Sequence, residues 1–103
     1  MPSFRVALQV SDVRPGHRPA EVVDVAAGAV RRHAHLDKPD LVVEDGLAWV
    51  TVRFSIDPTG RAEEDSRARG VATRVEAEVD RVAVVQRVRI SRRAGRDWLI
   101  VPH

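Results

Sequence analysis

Apolar and polar residues alternate along several stretches of the chain, and this period of two predicts β-strands. The clearest stretch is DGLAWVTVRFSID, from Asp45 to Asp57, where positions 48, 50, 52, 54 and 56 are all apolar. The other face of this stretch is mixed and consists of Leu47, Trp49, Thr51, Arg53 and Ser55. A strand with one apolar face packs that face on the core, so the large Trp49 on the other face requires a separate explanation.

Four further stretches predict strands. FRVALQV places Phe4, Val6, Leu8 and Val10 on one face. VAVVQRVRIS places Val82, Val84, Val88 and Ile90 on one face and Ala83, Val85, Arg87 and Arg89 on the other. LVVE predicts a short strand from Leu41, which a tight turn at residues 44–46 joins to the long strand as a hairpin. WLIV, after a turn at Ala94 and Gly95, predicts a short fifth strand.

Two segments repeat their apolar residues at steps of three and four, which predicts helices. The first begins near Pro19, because proline is favoured at the start of a helix, and runs to about His33. The second follows DPTGR, in which Asp57 or Thr59 is a candidate N-cap residue. Its apolar stripe consists of Ala68, Val71, Ala72, Val75, Val79 and Val82.

The predicted order is therefore strand, helix, strand, strand, helix, strand, with an extra short strand at the C-terminal end. This is the α+β order of the ferredoxin-like βαββαβ fold. Right-handed crossovers put both helices on one face of an antiparallel sheet with strand order 4-1-3-2. We expect residues 1–103 to form a single ferredoxin-like domain in which one sheet face is covered and the other is open.

The open face collects the strand residues that point away from the helices. They are Arg5, Ala7, Gln9, Leu47, Trp49, Thr51, Arg53, Val85, Arg87 and Arg89. A tryptophan among aliphatic residues and arginines suits two uses. A second copy of the chain can bury the apolar centre while arginines bond carboxylates at the rim. Alternatively, single-stranded RNA can stack its bases on Trp49 and place its phosphates on the arginines.

The RNA hypothesis invites comparison with the RNA-recognition motif family, which has the same topology. The stretch DGLAWVTV resembles the strand-three motif of that family at Gly46, Ala48, Trp49 and Val50. It departs from the motif at Leu47 and Val52, where the family carries aromatic residues, and strand one supplies no second aromatic. The resemblance implies RNA stacking on Trp49, whereas the departures favour self-association.

The charge composition is weaker evidence for nucleic-acid binding than the pI suggests. Seventeen basic residues, all arginine except Lys38, face 15 acidic ones and leave a net charge of +2. Because arginine titrates far above neutral pH, this small excess raises the pI to about 10.3 without producing a strong field at pH 7. The segment from Arg81 to Asp97 is locally basic, with six arginines against one acid.

Cysteine is absent, which excludes disulfides, a thiolate nucleophile and a cysteine-bound metal cluster. No apolar run approaches the ~20 residues that span a bilayer. The start, MPSFRVALQV, lacks the features of a secretory signal. We therefore expect a cytoplasmic protein without a membrane partner.

Candidate chemistry is sparse. His33 and His35 form a pair at the end of the first helix, but no further ligand accompanies them at metal-site spacing, and we predict no metal site. His17, with Arg14 and Arg18 in the loop VRPGHRP, is a candidate site for an anionic ligand. No phosphate loop, nucleophile elbow or spaced acid and base are present, so no cofactor or catalytic residue is predicted.

These observations favour a self-associating protein, with a homodimer as the first expectation, that acts as an interaction or ligand-sensing module through its open sheet face. The first alternative is a weak single-stranded RNA binder that uses Trp49 and its neighbouring arginines. The second alternative is a small dimeric ferredoxin-like enzyme whose cleft chemistry leaves no sequence signature. The sequence favours the non-catalytic hypotheses.

Overall fold

A computed structural model describes all residues from Met1 to His103. Five strands and two helices follow one another in the order βαββαββ. They are β1 (Ser3–Val13), α1 (Pro19–Arg31), β2 (His35–Glu44), β3 (Leu47–Ser55), α2 (Arg61–Val79), β4 (Ala83–Ala94) and β5 (Asp97–Ile100). The predicted α+β class, the ferredoxin-like element order and the extra C-terminal strand are confirmed.

The five strands form one antiparallel sheet in the order β2-β3-β1-β4-β5. The predicted order 4-1-3-2 is thus confirmed, and β5 is added outside β4. Both helices pack on the same side of this sheet, because buried residues of α1, α2 and the strands form a single apolar cluster. We call the opposite side the open sheet face. No helix is long and apolar enough to cross a membrane.

Alternate residues of the central strands build the core. Phe4 of β1 lies directly opposite Phe54 of β3, and the two rings stack with their centroids 5.8 Å apart. The helices contribute mainly alanine and valine to the buried interface, and these small side chains allow helix and sheet to approach closely. Since every second strand residue is committed to this core, the intervening residues must lie on the open sheet face.

Strand β2 is longer than the sequence predicts. It begins at His35 instead of Leu41 and includes Pro39, which pairs with Val52. Proline is tolerated there because β2 is an edge strand, where one side of the backbone has no neighbouring strand to bond. A register irregularity between Leu36 and Lys38 accompanies it. An edge with a proline, a lysine and a bulge is protected against pairing with further strands.

The predicted placement of Val85 on the open face is wrong. Gln9 pairs with Arg87 while Val10 pairs with Val85, so Gln86 is an extra residue that forms a bulge in β4. One extra residue reverses which face the preceding side chains point to. Val85 accordingly packs against the core beside Val10, and Ala83, also predicted to lie on the open face, is fully buried.

Helix α2 begins at Arg61, and its N-cap residue is Gly60 at φ +115°. The sequence predicts Asp57 or Thr59 as the N-cap residue, and this prediction is wrong. Instead, the buried carboxylate of Glu64 accepts hydrogen bonds from the backbone N–H groups of Thr59 (2.9 Å) and Gly60 (3.1 Å). The carboxylate thus bonds the two residues that precede the helix, in the manner of the glutamate in a capping box, and fixes the direction in which the chain enters α2.

Candidate interaction surface on the open sheet face

Strand register places nine of the ten predicted surface residues together on the open sheet face, with Val85 the exception. The nine are Arg5, Ala7, Gln9, Leu47, Trp49, Thr51, Arg53, Arg87 and Arg89. Ala7 lies between Thr51 of β3 and Arg89 of β4, at the middle of the sheet. The face is therefore a continuous surface across β3, β1 and β4.

Trp49 is not the exposed platform that the sequence suggested. Its residue surface is 6% exposed, and the guanidinium carbon of Arg89 lies 4.4 Å from the centroid of its ring. A cation over an indole face is a favourable contact. The large apolar residue on the outer face is thus covered by an arginine of the next strand but one, and a nucleic-acid base can stack on it only if Arg89 moves.

Trp98 of β5 is a second aromatic of the open sheet face that the sequence analysis did not assign to it. It pairs with Arg93 across the terminal hairpin. The guanidinium carbons of Arg5, Arg53 and Arg93 lie 4.6, 5.2 and 5.3 Å from the centroid of its ring. The turn of the terminal hairpin lies at Gly95 and Arg96, one residue later than the sequence predicts. A two-residue turn in this stretch aligns Trp98 with the residues of β4 that point to the open sheet face, so the signal was present in the sequence.

The arginines of this face lack acidic partners. None of Arg5, Arg53, Arg87, Arg89 and Arg93 forms an ion pair within the chain. Arg5 and Arg53 lie directly opposite one another on β1 and β3, an arrangement that repels. Partial burial lowers the pKa of Arg5, and the positive charges of Arg53 and Arg93 lower it further. The face therefore carries a concentration of unbalanced positive charge.

Negative charge on the open sheet face is confined to the outer strand β2. Asp40 lies opposite Thr51, and Glu44 lies opposite Leu47, so both acidic residues lie on the open sheet face. Arg87, Arg89 and Arg93 occupy the same face of β4, on the other side of the sheet centre. Lys38 of β2 lies opposite Arg53 on the same face. The outer strand therefore carries two carboxylates and one lysine, whereas the β4 side carries arginines alone.

Apolar residues are exposed at both edges of the same face. Val42, which pairs with Trp49, is 38% exposed, and Ile100, which pairs with Ser91, is 82% exposed. Leu47 is also among the exposed large apolar residues. Exposed aliphatic residues beside a charged surface are typical of a contact region.

The loop residues predicted as an anion site are engaged with acids of the chain. His17 Nδ1 lies 3.0 Å from Glu21 Oε2, and the guanidinium of Arg18 lies 3.8 Å from the same carboxylate. Arg14 pairs with Asp80 at 3.1 Å. The hydrogen bond with His17 lowers the pKa of Glu21. His17 and Arg18 therefore share one carboxylate, and Arg14 is held by a different acid.

His33 and His35 line an open cleft of about 540 Å³ beside the start of β2 and the outer side of α2. Arg67 and Arg74 line it from the helix. No group of three histidine or carboxylate side chains in the structure is arranged to hold a metal ion.

The chain was compared with family models, curated proteins and solved structures. No family model matches the chain, and no curated protein matches it either. Among solved structures, the chain is similar to Rv0793 from Mycobacterium tuberculosis, with 20% sequence identity and a TM-score of 0.45 over 94% of this chain and 97% of that one. A likeness at this level assigns no function.

Proposed function

We propose that the protein associates with a second copy of itself through the open sheet face and serves as an interaction module with a ligand-sensing role. The observation that carries this proposal is the polarity of the face, with Asp40 and Glu44 on β2 and the arginines of β4 beyond the sheet centre. Such a surface is complementary to a rotated copy of itself, which is the requirement for a two-fold dimer.

The geometry of pairing follows from the strand order. A two-fold axis that runs parallel to the strands, between two facing sheets, brings β2 of one copy over the β4 and β5 edge of the other. Facing sheets pack about 10 Å apart with their strands nearly aligned. The carboxylates of each copy then approach the arginines Arg87 and Arg89 of the other, and the charges that lack partners within the chain acquire them. Electrostatic complementarity of this kind fixes the register of an interface.

The size and composition of the face agree with such an interface. Strands β1, β3 and β4 contain 11, 9 and 12 residues. Together with β2 they present a surface on the order of 15 by 30 Å in projection. Its projected area of about 450 Å² is a little over half of the roughly 800 Å² that each partner buries in a standard interface, and the relief of the side chains and the neighbouring strand β5 add to it. Val42 and Ile100 supply exposed apolar area at its two edges.

Two neighbouring valines of β2 provide a matched test. Val42 pairs with Trp49 on the open sheet face, whereas Val43 pairs with Ala48 and points to the helix side; they are 38% and 70% exposed. We expect Val42→Lys to weaken dimerisation by at least tenfold, because it adds a positive charge where arginines of the other copy approach. We expect Val43→Lys to leave the dimer unchanged. Sedimentation equilibrium measures both constants, and equal effects of the two changes would contradict the proposed face.

Single-stranded RNA is the second candidate, favoured by the five unpaired arginines and the two tryptophans of the same face. RNA binding through these arginines would fall steeply with salt, because each phosphate contact releases counterions. The arginines that already cover Trp49 and surround Trp98 stand against it, since bases would have to displace them or stack on their guanidinium planes. A monomer that binds oligonucleotides in this way would replace the dimer as the explanation of the face.

A further inference from the structure

A hollow of about 150 Å³ lies near the centre of the open sheet face. Ala7 forms its floor between Thr51 and Arg89, because the methyl side chain leaves the space above β1 unfilled. Its volume equals that of roughly five water molecules at ~30 Å³ each. A small molecule of that size fits there.

The polar groups around the hollow are donors without partners. Arg5 and Arg89 line it and form no ion pair. The hydroxyl groups of Thr51 and Ser91 also line it, and neither bonds another side chain. One carboxylate, that of Glu44, lies at the end of the hollow beside Val42. Two guanidinium groups and two hydroxyls around a small volume are the donor set that binds a phosphate group in proteins.

The surroundings of Arg5 also favour an anion in the hollow. Its guanidinium shares the Trp98 ring with those of Arg53 and Arg93, and no carboxylate balances the three charges. Like charges held this close repel one another, and the pKa of Arg5 is lowered as a result, after the larger effect of its partial burial. A multiply charged anion in the hollow would remove this repulsion.

We propose that the hollow above Ala7 binds a phosphate-type oxyanion through Arg5, Arg89, Thr51 and Ser91, and that the bound anion strengthens association of two copies. The second part rests on the proposed function, because the hollow lies on β1, close to the two-fold axis, where the arginines of two copies approach each other. An anion held there neutralises Arg5, whose charge would otherwise face that of the other copy across the interface. The sensed ligand is then free phosphate or a phosphate monoester.

Calorimetric titration with inorganic phosphate, at constant ionic strength maintained with chloride, tests the site. We expect saturable binding of one phosphate per chain. Ala7→Val fills the hollow without changing any charge, and Arg5→Gln removes one donor, so each is expected to weaken binding at least tenfold. Arg31→Gln is the matched control, because Arg31 is exposed at the end of α1, away from both the hollow and the open sheet face, and it should change the affinity by less than threefold.

The same titration with adenosine monophosphate separates the two sources of the phosphate group. Binding at least tenfold tighter than phosphate identifies a nucleotide-like monoester, and equal binding identifies the free oxyanion; both results support the site. An absence of saturable phosphate binding, or equal weakening by Ala7→Val and Arg31→Gln, would overturn it. Thermal melts of each variant verify that the fold is retained.

Light scattering in phosphate and in chloride at equal ionic strength tests the coupling. We expect the dimer dissociation constant to fall at least fivefold in phosphate. A dimer that binds no phosphate would overturn the anion site and leave the proposed function intact. A monomer that binds phosphate would overturn the proposed function and the coupling, and leave the anion site intact.

Discussion

Two charge-reversed variants that do not dimerise alone are expected to form a dimer with each other when mixed. In the first, Asp40→Arg and Glu44→Arg make the acidic edge of the open sheet face basic. In the second, Arg87→Glu and Arg89→Glu make its basic edge acidic. All four positions are exposed. Because Arg89→Glu removes the guanidinium that covers Trp49, a thermal melt of each variant verifies that the fold is retained. Two copies of either variant present like charges at both edges of the proposed interface.

We expect each variant alone to lose at least 100-fold in dimer affinity, because like charges placed in contact across an interface cost several kcal/mol. The mixture restores opposite charges at both edges and should recover most of that loss. Native mass spectrometry distinguishes the heterodimer from the two homodimers by mass. Asp24→Arg, on the exposed surface of α1, is the control and should leave the dimer unchanged. Two variants that stay monomeric after mixing would contradict the pairing of the two edges.

Replacement of Arg92 by methionine is expected to lower the melting temperature by roughly 10 °C or more, which is the scale of a broken buried ion pair in a domain of this size. Arg92 donates to Glu64 Oε1 at 2.7 Å and to Asp65 Oδ1 at 3.0 Å, and so joins β4 to α2. The side chain of Glu64 is 7% exposed. Methionine keeps an unbranched apolar side chain at this position, but it removes the guanidinium that lies 5.3 Å from the Phe4 ring centroid and leaves the Glu64 carboxylate without its cation.

The loss should depend on pH in a definite direction. The hydrogen bond from Arg92, followed by those from the N–H groups of Thr59 and Gly60, lowers the pKa of Glu64 in the folded protein. Its stabilising contribution is therefore complete above the ordinary glutamate pKa, about 4.3, and is lost as the pH falls through the lowered value. The difference in melting temperature between the native protein and Arg92→Met should be largest near neutral pH and shrink in acid.

An exposed pair of the same helix provides the control for Arg92. Arg67 and Glu63 form an i,i+4 pair at 3.1 Å with both side chains at least half exposed. Arg67→Met should change the melting temperature by only a few degrees, because exposed pairs contribute little. Melts at equal protein concentration keep the contribution of dimerisation constant. Equal effects of the two substitutions, or a difference that does not shrink in acid, would contradict the role assigned to Arg92.

Much of the fold follows from periodicity in the sequence. The alternating apolar residues Phe4, Val6 and Leu8 of β1 are fully buried, as the period of two predicts. The apolar residues of α2 from Ala68 to Val79 face the same core. The element order then leaves few topologies, which is why the strand order was correct. The prediction failed where the backbone is irregular. The bulge at Gln86 turns the side chain of Val85 from the open sheet face to the core. Strand β2 extends through Pro39 because it lies at the edge of the sheet, where a missing backbone N–H is tolerated.

The open sheet face was predicted less completely, because its exposed area and its hollow depend on side chains of one strand that lie over residues of another strand. Alternation placed Arg89 and Trp49 on one face but does not show that the arginine covers the ring. Trp98 could have been assigned to that face from the terminal hairpin. The hollow above Ala7 depends on the directions taken by Arg5 and Arg89, and these directions are set by packing, which a linear pattern does not record.

The most direct test of the central claim is the mass of the protein in solution, measured by light scattering over a range of protein concentrations at low and high salt. Self-association predicts a species of twice the chain mass of 11.4 kDa at the higher concentrations. Dissociation should become more marked with salt, because screening weakens the pairing of the charged edges. A mass of one chain at every concentration and salt level would contradict self-association through the open sheet face.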